Sequence, residues 1–98
     1  MRVTWSLRAR RDLREQRRFI AREQPAAALH LSRRVVAAAE RLGTYPYLER
    51  TATWDVRSRI RELPVANTPF VVMYTVDEVA NAIVILRVVH GAQQRGSE

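Results

Sequence analysis

The 98-residue chain, with 47% hydrophobic and 28% charged residues, is long enough for one hydrophobic core and has a globular rather than a disordered composition. It lacks cysteine, a secretory signal and the roughly 18–20-residue apolar run that crosses a bilayer, so we expect a cytoplasmic protein with no membrane contact, disulfide, metal or cofactor. All 17 basic residues are arginine and the formal net charge is +7, which predicts an acidic partner, either a phosphate backbone or an acidic protein segment.

The N-terminal residues predict a short strand followed by a helix. Residues 1–5 alternate apolar and polar side chains, as a surface strand does. From residue 7 to about residue 23 apolar side chains recur at helical spacing, and Ser6 can cap this helix. Five arginines, interrupted by little except Glu15, form a solvent-exposed stripe on its opposite side, which is either a solvated helix face or a candidate surface for a target or for phosphates: Arg8, Arg11, Arg14, Arg18 and Arg22.

A second helix is predicted to begin at Pro25, because proline suits a first helical turn and keeps the preceding residue out of the helix. Its apolar spacing continues to Leu42, and Gly43 is a candidate left-handed C-terminal stop. The two helices should form a hairpin. Residues 44–58 lack any sustained period, which predicts a long loop anchored by its aromatic side chains Tyr45, Tyr47 and Trp54.

The last forty residues are rich in β-branched side chains and predict three consecutive strands, at 59–65, 70–76 and 82–90. Short connections make these strands an antiparallel meander, and the apolar run at 83–86 indicates that the last one is covered on both faces or central. The predicted order is therefore β-α-α-β-β-β, in a single domain spanning residues 1–98. This is an α+β fold, with an N-terminal helical hairpin packed on a small, twisted, mainly antiparallel sheet. Residues 93–98 are expected to be a frayed tail.

Several segments of the chain resemble the RelE/ParE toxins. In the C-terminal half these are residues 61–63, 68–76 and 83–92, and in the N-terminal half the segments similar to that family's helical hairpin include Ala9, 12–13, 19–21, 25–28, 39–42 and 45–46. The resemblance implies the toxin of a type II toxin–antitoxin system, which blocks growth when it is free. It also implies a cognate antitoxin whose acidic, extended segment wraps the toxin in a hetero-oligomer, and the net charge of +7 fits such a partner.

The resemblance leaves two targets open, because RelE-like members cut mRNA in the ribosome whereas ParE-like members act on DNA gyrase without being nucleases. In the nuclease branch an arginine commonly stands three residues before the tyrosine of the middle strand. Relative to Tyr74, this position is Val71. The segment after His90 also lacks the tyrosine or basic cluster of many ribosome-dependent relatives. The chain is therefore closer to the ParE-like branch, which predicts inhibition of DNA gyrase by binding rather than enzymatic activity.

The alternative, an RNA-cleaving toxin acting on the ribosome and mRNA, needs an acid, a base and cations around one phosphate. The candidates are Arg61, Arg87 and His90, although Arg87 and His90 are three positions apart on one strand and should point to opposite faces. Each of these residues also has a structural interpretation. His90 can be a hydrogen-bonded histidine, and either arginine can pair with a carboxylate such as Glu62. A third hypothesis is a non-enzymatic nucleic-acid-binding module that uses the arginine stripe for phosphates.

Overall fold

The computed structural model describes residues 1–48 and 59–91. Within these ranges the elements are, in chain order, β1 (Arg2–Trp5), α1 (Leu7–Ala21), α2 (Pro25–Arg41), β2 (Arg61–Pro64), β3 (Phe70–Asp77) and β4 (Ala82–His90). The predicted α+β fold and element order are confirmed, and the element ends differ from the prediction by no more than two residues. Trp54, most of the predicted loop and the predicted tail lie outside the described residues. No helix in the described ranges is long and apolar enough to cross a membrane.

Local sequence signals position the two helices. The Ser6 hydroxyl accepts a hydrogen bond from the N–H of Ala9 at 3.0 Å and donates one to the carbonyl of Leu86 at 3.0 Å. One side chain therefore caps α1 and ties it to β4, as an N-cap serine can. Helix α2 begins with Pro25 in its first turn, where the missing N–H of proline costs no helical hydrogen bond.

Gly43 does not end α2 in the way that the sequence predicts. No glycine in the described residues has a positive φ, so the expected left-handed stop is wrong. Gly43 instead permits a close approach, because a Cβ atom there would lie 2.6 Å from the carbonyl oxygen of Met1. The N-terminal ammonium of Met1 donates a hydrogen bond to the Gly43 carbonyl at 2.7 Å. The glycine thus joins the end of α2 to the start of β1.

The described strands form one sheet in the order β1-β4-β3-β2. β1 runs parallel to β4, whereas β4 with β3 and β3 with β2 are antiparallel, so the sheet is mainly antiparallel as predicted. β4 has a strand on each side, which confirms its predicted central position. The pairing of β3 with β4 contains a bulge: Met73 pairs with Arg87 but Tyr74 pairs with Ile85, which leaves Leu86 as an extra residue.

The hydrophobic core lies between the helical hairpin and the sheet. Its largest fully buried side chains come from the end of α2 and from the two central strands: Val35, Leu42, Val72, Tyr74, Ile83, Ile85 and Val88. Helix α1 adds the buried Ala9 and the half-buried Leu13 and Ile20. Because this apolar side of α1 is small, its polar contacts with β4 contribute to holding the helix on the sheet.

Candidate functional site

Asp12 on α1 is a buried carboxylate, 6% exposed, that lies beside the C-terminal half of β4. β1 pairs with β4 as far as Ile85, so the N–H of Val88 lies beyond the end of its strand neighbour. Asp12 Oδ2 accepts a hydrogen bond from this N–H at 2.9 Å and from Arg87 Nε at 2.7 Å, while Oδ1 accepts one from Arg87 Nη2 at 3.3 Å. The carboxylate therefore binds both the backbone and the guanidinium group of β4. We call this arrangement the Asp12 fork.

The Asp12 fork fixes the position of Arg87, one of the candidates for RNA cleavage. The sequence suggests a carboxylate such as Glu62 as the partner of Arg87, but the structure pairs Arg87 with Asp12, 75 positions away in the chain. The arginine side chain remains one-third exposed. Two of its nitrogens already donate to a buried carboxylate, so Arg87 forms a bidentate ion pair.

Arg61 lies on the edge strand β2, beside the start of the predicted loop. Its guanidinium carbon is 4.8 Å from the ring centre of Tyr47, within cation–π distance. A hydrogen bond to the Glu78 carboxylate raises the pKa of the Tyr47 phenol above its ordinary value, and the charge of Arg61 acts in the opposite direction. Tyr45 likewise lies under an arginine, 6.0 Å from the guanidinium carbon of Arg41. The two described tyrosines of the predicted loop thus contact arginines of the neighbouring elements.

His90 ends β4 and packs edge-on against Phe70, with ring centroids 6.2 Å apart and an interplanar angle of 85°. Its Nδ1 is buried and has no hydrogen-bond partner among the described residues. The ring lines an open groove of about 480 Å³, which is completed by side chains of α1 and of the start of β3: Glu15, Gln16, Phe19, Ile20, Pro69 and Phe70. Phe19 is 69% exposed, so this groove, called the His90 groove below, has an uncovered aromatic wall.

The three candidates for RNA cleavage occupy separate places on the sheet. Arg61 pairs across the sheet with Tyr74, whereas His90 pairs with Phe70. These partners are four residues apart on β3, which corresponds to roughly 13 Å along the strand. Residues 87–90 pair regularly with residues 70–73, so the Cβ atoms of Arg87 and His90 lie on opposite faces of β4. Both side chains nevertheless reach α1, where Arg87 binds Asp12 and the His90 ring lines its groove. The geometry brings no two of the three candidates into contact with each other.

Val71, at the position where nuclease relatives commonly carry arginine, is 5% exposed and lies opposite the buried Val89. A Cβ atom on Gly91 would lie 3.1 Å from its Cγ2 atom, which shows how closely the backbone approaches this side chain. The surroundings of Val71 are therefore apolar and tight. No group of three His, Asp or Glu side chains in the described ranges could hold a metal ion.

All five arginines of the predicted stripe are exposed. Arg8 differs from the others, because its Nε lies 3.5 Å from Asp12 Oδ1 at the margin of the Asp12 fork. Arg10 and Arg17, which the prediction omits, are also exposed and fall on the same side at 100° per residue. The exposed side of α1 and its C-cap residue thus carry one contiguous group, called the arginine face below: Arg10, Arg11, Arg14, Arg17, Arg18 and Arg22.

Residues 3–95 match the family model described as the ParE toxin of the type II toxin–antitoxin system parDE. The chain belongs to the ParE toxin family. It is 33% identical over 93 residues to the Y4kP protein of Sinorhizobium fredii, covering 95% of this chain and 91% of that protein. It is 35% identical over 91 residues to toxin RelE2 of Caulobacter vibrioides, covering 93% and 96%.

The fold of this ParE-family toxin is also that of a solved structure, the chromosomal ParDE toxin–antitoxin system from P. aeruginosa. The TM-score is 0.78 at 22% sequence identity, and the match covers 92% of this chain and 95% of that chain. The structural similarity shows the fold, and the family model and the two relatives confirm the RelE/ParE resemblance and the role as a type II toxin.

The sequence of the ParE-family toxin identifies Arg61, Arg87 and His90 as candidate site residues. It does not reveal the structural role of Asp12, which binds Arg87. One signal was present: Asp12 lies between the apolar positions Ala9 and Leu13 of the first helix. A carboxylate at the edge of an apolar helix side must find a donor when it is buried. The sequence alone does not identify that donor, because Arg87 comes from the far end of the chain.

Proposed function

We propose that this ParE-family toxin inhibits DNA gyrase by binding it and has no nuclease activity. The separation of Arg61, Arg87 and His90 is the observation that carries the proposal. Ribonuclease chemistry needs a base, an acid and cations around a single phosphate. Here Arg87 is held by Asp12, and the other two side chains lie at different ends of the sheet. The buried, apolar environment of Val71 supports the same conclusion.

A supercoiling assay with purified gyrase and relaxed plasmid tests this proposal. We expect supercoiling to decrease, or cleaved DNA to accumulate, in proportion to the toxin added. Arg61→Ala and His90→Ala are the matched variants, and both should inhibit gyrase as the wild type does. The same samples should leave mRNA intact on translating ribosomes. A toxin that leaves gyrase unaffected but cuts mRNA on ribosomes, and loses this cleavage in both variants, would instead be a ribosome-dependent endonuclease.

The proposed partner in the cell is a cognate antitoxin that forms a hetero-oligomer with the toxin in the cytoplasm. The structural neighbour from P. aeruginosa belongs to a ParDE toxin–antitoxin system, and the net charge of +7 suits an acidic segment. The His90 groove offers the exposed ring of Phe19 as an apolar contact, beside the buried Phe70. The guanidinium carbon of Arg22 lies 6.0 Å from the Phe19 ring, beside this wall. An amphipathic segment with acidic side chains could contact Phe19 and Arg22 at once.

A further inference from the structure

We infer that the arginine face of α1 binds the phosphate backbone of duplex DNA. Residues 7–22 hold seven arginines and two carboxylates, a net charge of +5 out of +7 for the whole chain. Most of the net positive charge is therefore concentrated on one helix and its C-cap. Guanidinium groups are well suited to phosphate, which they can bind through two parallel hydrogen bonds.

Among the described residues no arginine of the arginine face forms an ion pair, although the exposed Glu15 lies on the same side of α1. The nearby buried carboxylate, Asp12, pairs instead with Arg87 and Arg8, which lie outside the face. Neighbouring arginines at a spacing of four residues, such as Arg14 with Arg18, repel one another on a helix surface. Water and salt screen this repulsion in part, and a bound polyanion would offset it further.

At the N-terminal end of α1 the charges oppose the helix dipole, whereas Arg18 in the last turn is favourably placed. The first turn contains no acidic residue, although carboxylates would be favourable there, and Arg8 and Arg10 lie close to this end. Ser6 and Asp12 fix the same end of the helix to β4. The arginine face is therefore presented on an anchored element, which reduces the entropy lost when a ligand binds.

The shape of the arginine face favours a phosphate backbone over an acidic peptide. From Arg10 to Arg22 the face extends roughly 18 Å along the helix, and each strand of duplex DNA carries one phosphate per about 3.4 Å of its axis. An acidic peptide needs apolar anchors as well as charge. On this side of α1 the exposed apolar side chain is Leu7 at the N-terminal end, while Phe19 belongs to the His90 groove. The choice of duplex DNA as the ligand rests on the proposed gyrase target. The preference for phosphate groups follows from the arginine face itself and does not depend on gyrase.

Fluorescence anisotropy with a labelled duplex of about 20 base pairs, without gyrase, tests the inference. We expect the binding constant of the wild-type toxin to fall steeply between about 50 and 200 mM salt, with a logarithmic slope of about −4 to −5. The double substitution Arg14→Glu and Arg18→Glu should weaken binding by about tenfold or more and make the slope shallower by about 2.

Two further pairs of substitutions serve as controls. Arg2→Glu with Arg59→Glu changes the net charge equally at exposed positions outside α1, and should weaken binding by less than about threefold. Arg14→Gln with Arg18→Gln removes the charge without adding carboxylates. It should give an intermediate loss of binding, with the helical circular dichroism of the wild type retained.

Four results would overturn the inference. Equal loss in the two charge-reversed pairs would indicate general attraction by a basic protein, and absence of wild-type binding at about 50 mM salt would remove the phosphate site altogether. Loss of antitoxin binding in the Arg14 and Arg18 variant, with DNA binding intact, would assign the face to an acidic protein. Tighter binding to duplex RNA than to duplex DNA would exclude DNA as the preferred ligand. None of these measurements contains gyrase, so failure of the gyrase proposal remains a separate result.

Discussion

At the scale of single residues, Asp12 forms hydrogen bonds that the sequence does not predict, and these bonds should stabilise the fold. Asp12→Ala removes the acceptor for both Arg87 and the N–H of Val88. We expect it to lower the free energy of unfolding by about 2–3 kcal/mol, less than the roughly 3–5 kcal/mol of a fully buried pair, because Arg87 is partly exposed. Asp12→Asn keeps an oxygen for the Val88 N–H and should cost less, about 1–2 kcal/mol.

Urea unfolding followed by circular dichroism measures these differences. The control is Glu15→Gln, which removes an exposed carboxylate from the same helix and should change stability by less than about 0.5 kcal/mol. If Asp12→Ala were no less stable than this control, the Asp12 fork would not be what holds α1 against β4. Equal losses for the alanine and asparagine variants would show that the charge, and not the hydrogen bond from Val88, carries the effect.

At the scale of the elements, Gly43 connects α2 to β1 through a close backbone contact. Gly43→Ala places a Cβ atom against the Met1 carbonyl, which is backbone and cannot rotate away, so we expect a loss of about 1–3 kcal/mol. Gly91→Ala is the matched comparison, because its Cβ atom would meet a side-chain methyl of Val71 at 3.1 Å. It should cost less than about 1 kcal/mol. Thermal unfolding of both variants compares them directly, and a tolerated Gly43→Ala with a damaging Gly91→Ala would contradict the assigned contacts.

The same elements show what the sequence can and cannot predict. Periodicity and β-branched composition predict the helices and strands because local spacing decides which face of each is apolar. The bulge at Leu86 leaves no such trace, since Ile85 and Leu86 are both apolar and the extra residue does not interrupt the apolar run. Gly43 indicates an unusual backbone position. Because a left-handed helix end and a close backbone approach both require glycine, the sequence does not distinguish between them. The Asp12 fork joins opposite ends of the chain, so local patterns do not reveal it.

At the scale of the whole molecule, α1 presents two different surfaces on neighbouring sides. The arginine face is cationic, whereas the His90 groove is lined by the exposed ring of Phe19 and by His90, whose buried Nδ1 has no hydrogen-bond partner among the described residues. Arg22, the C-terminal member of the arginine face, lies close to the Phe19 ring of the groove. An acidic segment bound in the groove would therefore also lower the positive potential at the C-terminal end of the arginine face. An antitoxin segment bound in the His90 groove could then weaken ligand binding at the arginine face as well, because both surfaces lie on α1.

The groove provides a direct test of where the antitoxin binds. Phe19→Glu puts a carboxylate on the aromatic wall and should weaken antitoxin binding by about tenfold or more, because buried aromatic anchors dominate many interfaces. Its effect on folding should stay within about 0.5 kcal/mol, since Phe19 is 69% exposed. Val79→Glu, at a fully exposed position, is the control. Calorimetry with the cognate antitoxin measures the affinities, and co-expression with the antitoxin measures growth. We expect the antitoxin to rescue cells carrying Val79→Glu but not Phe19→Glu; equal rescue would mean that the antitoxin binds elsewhere.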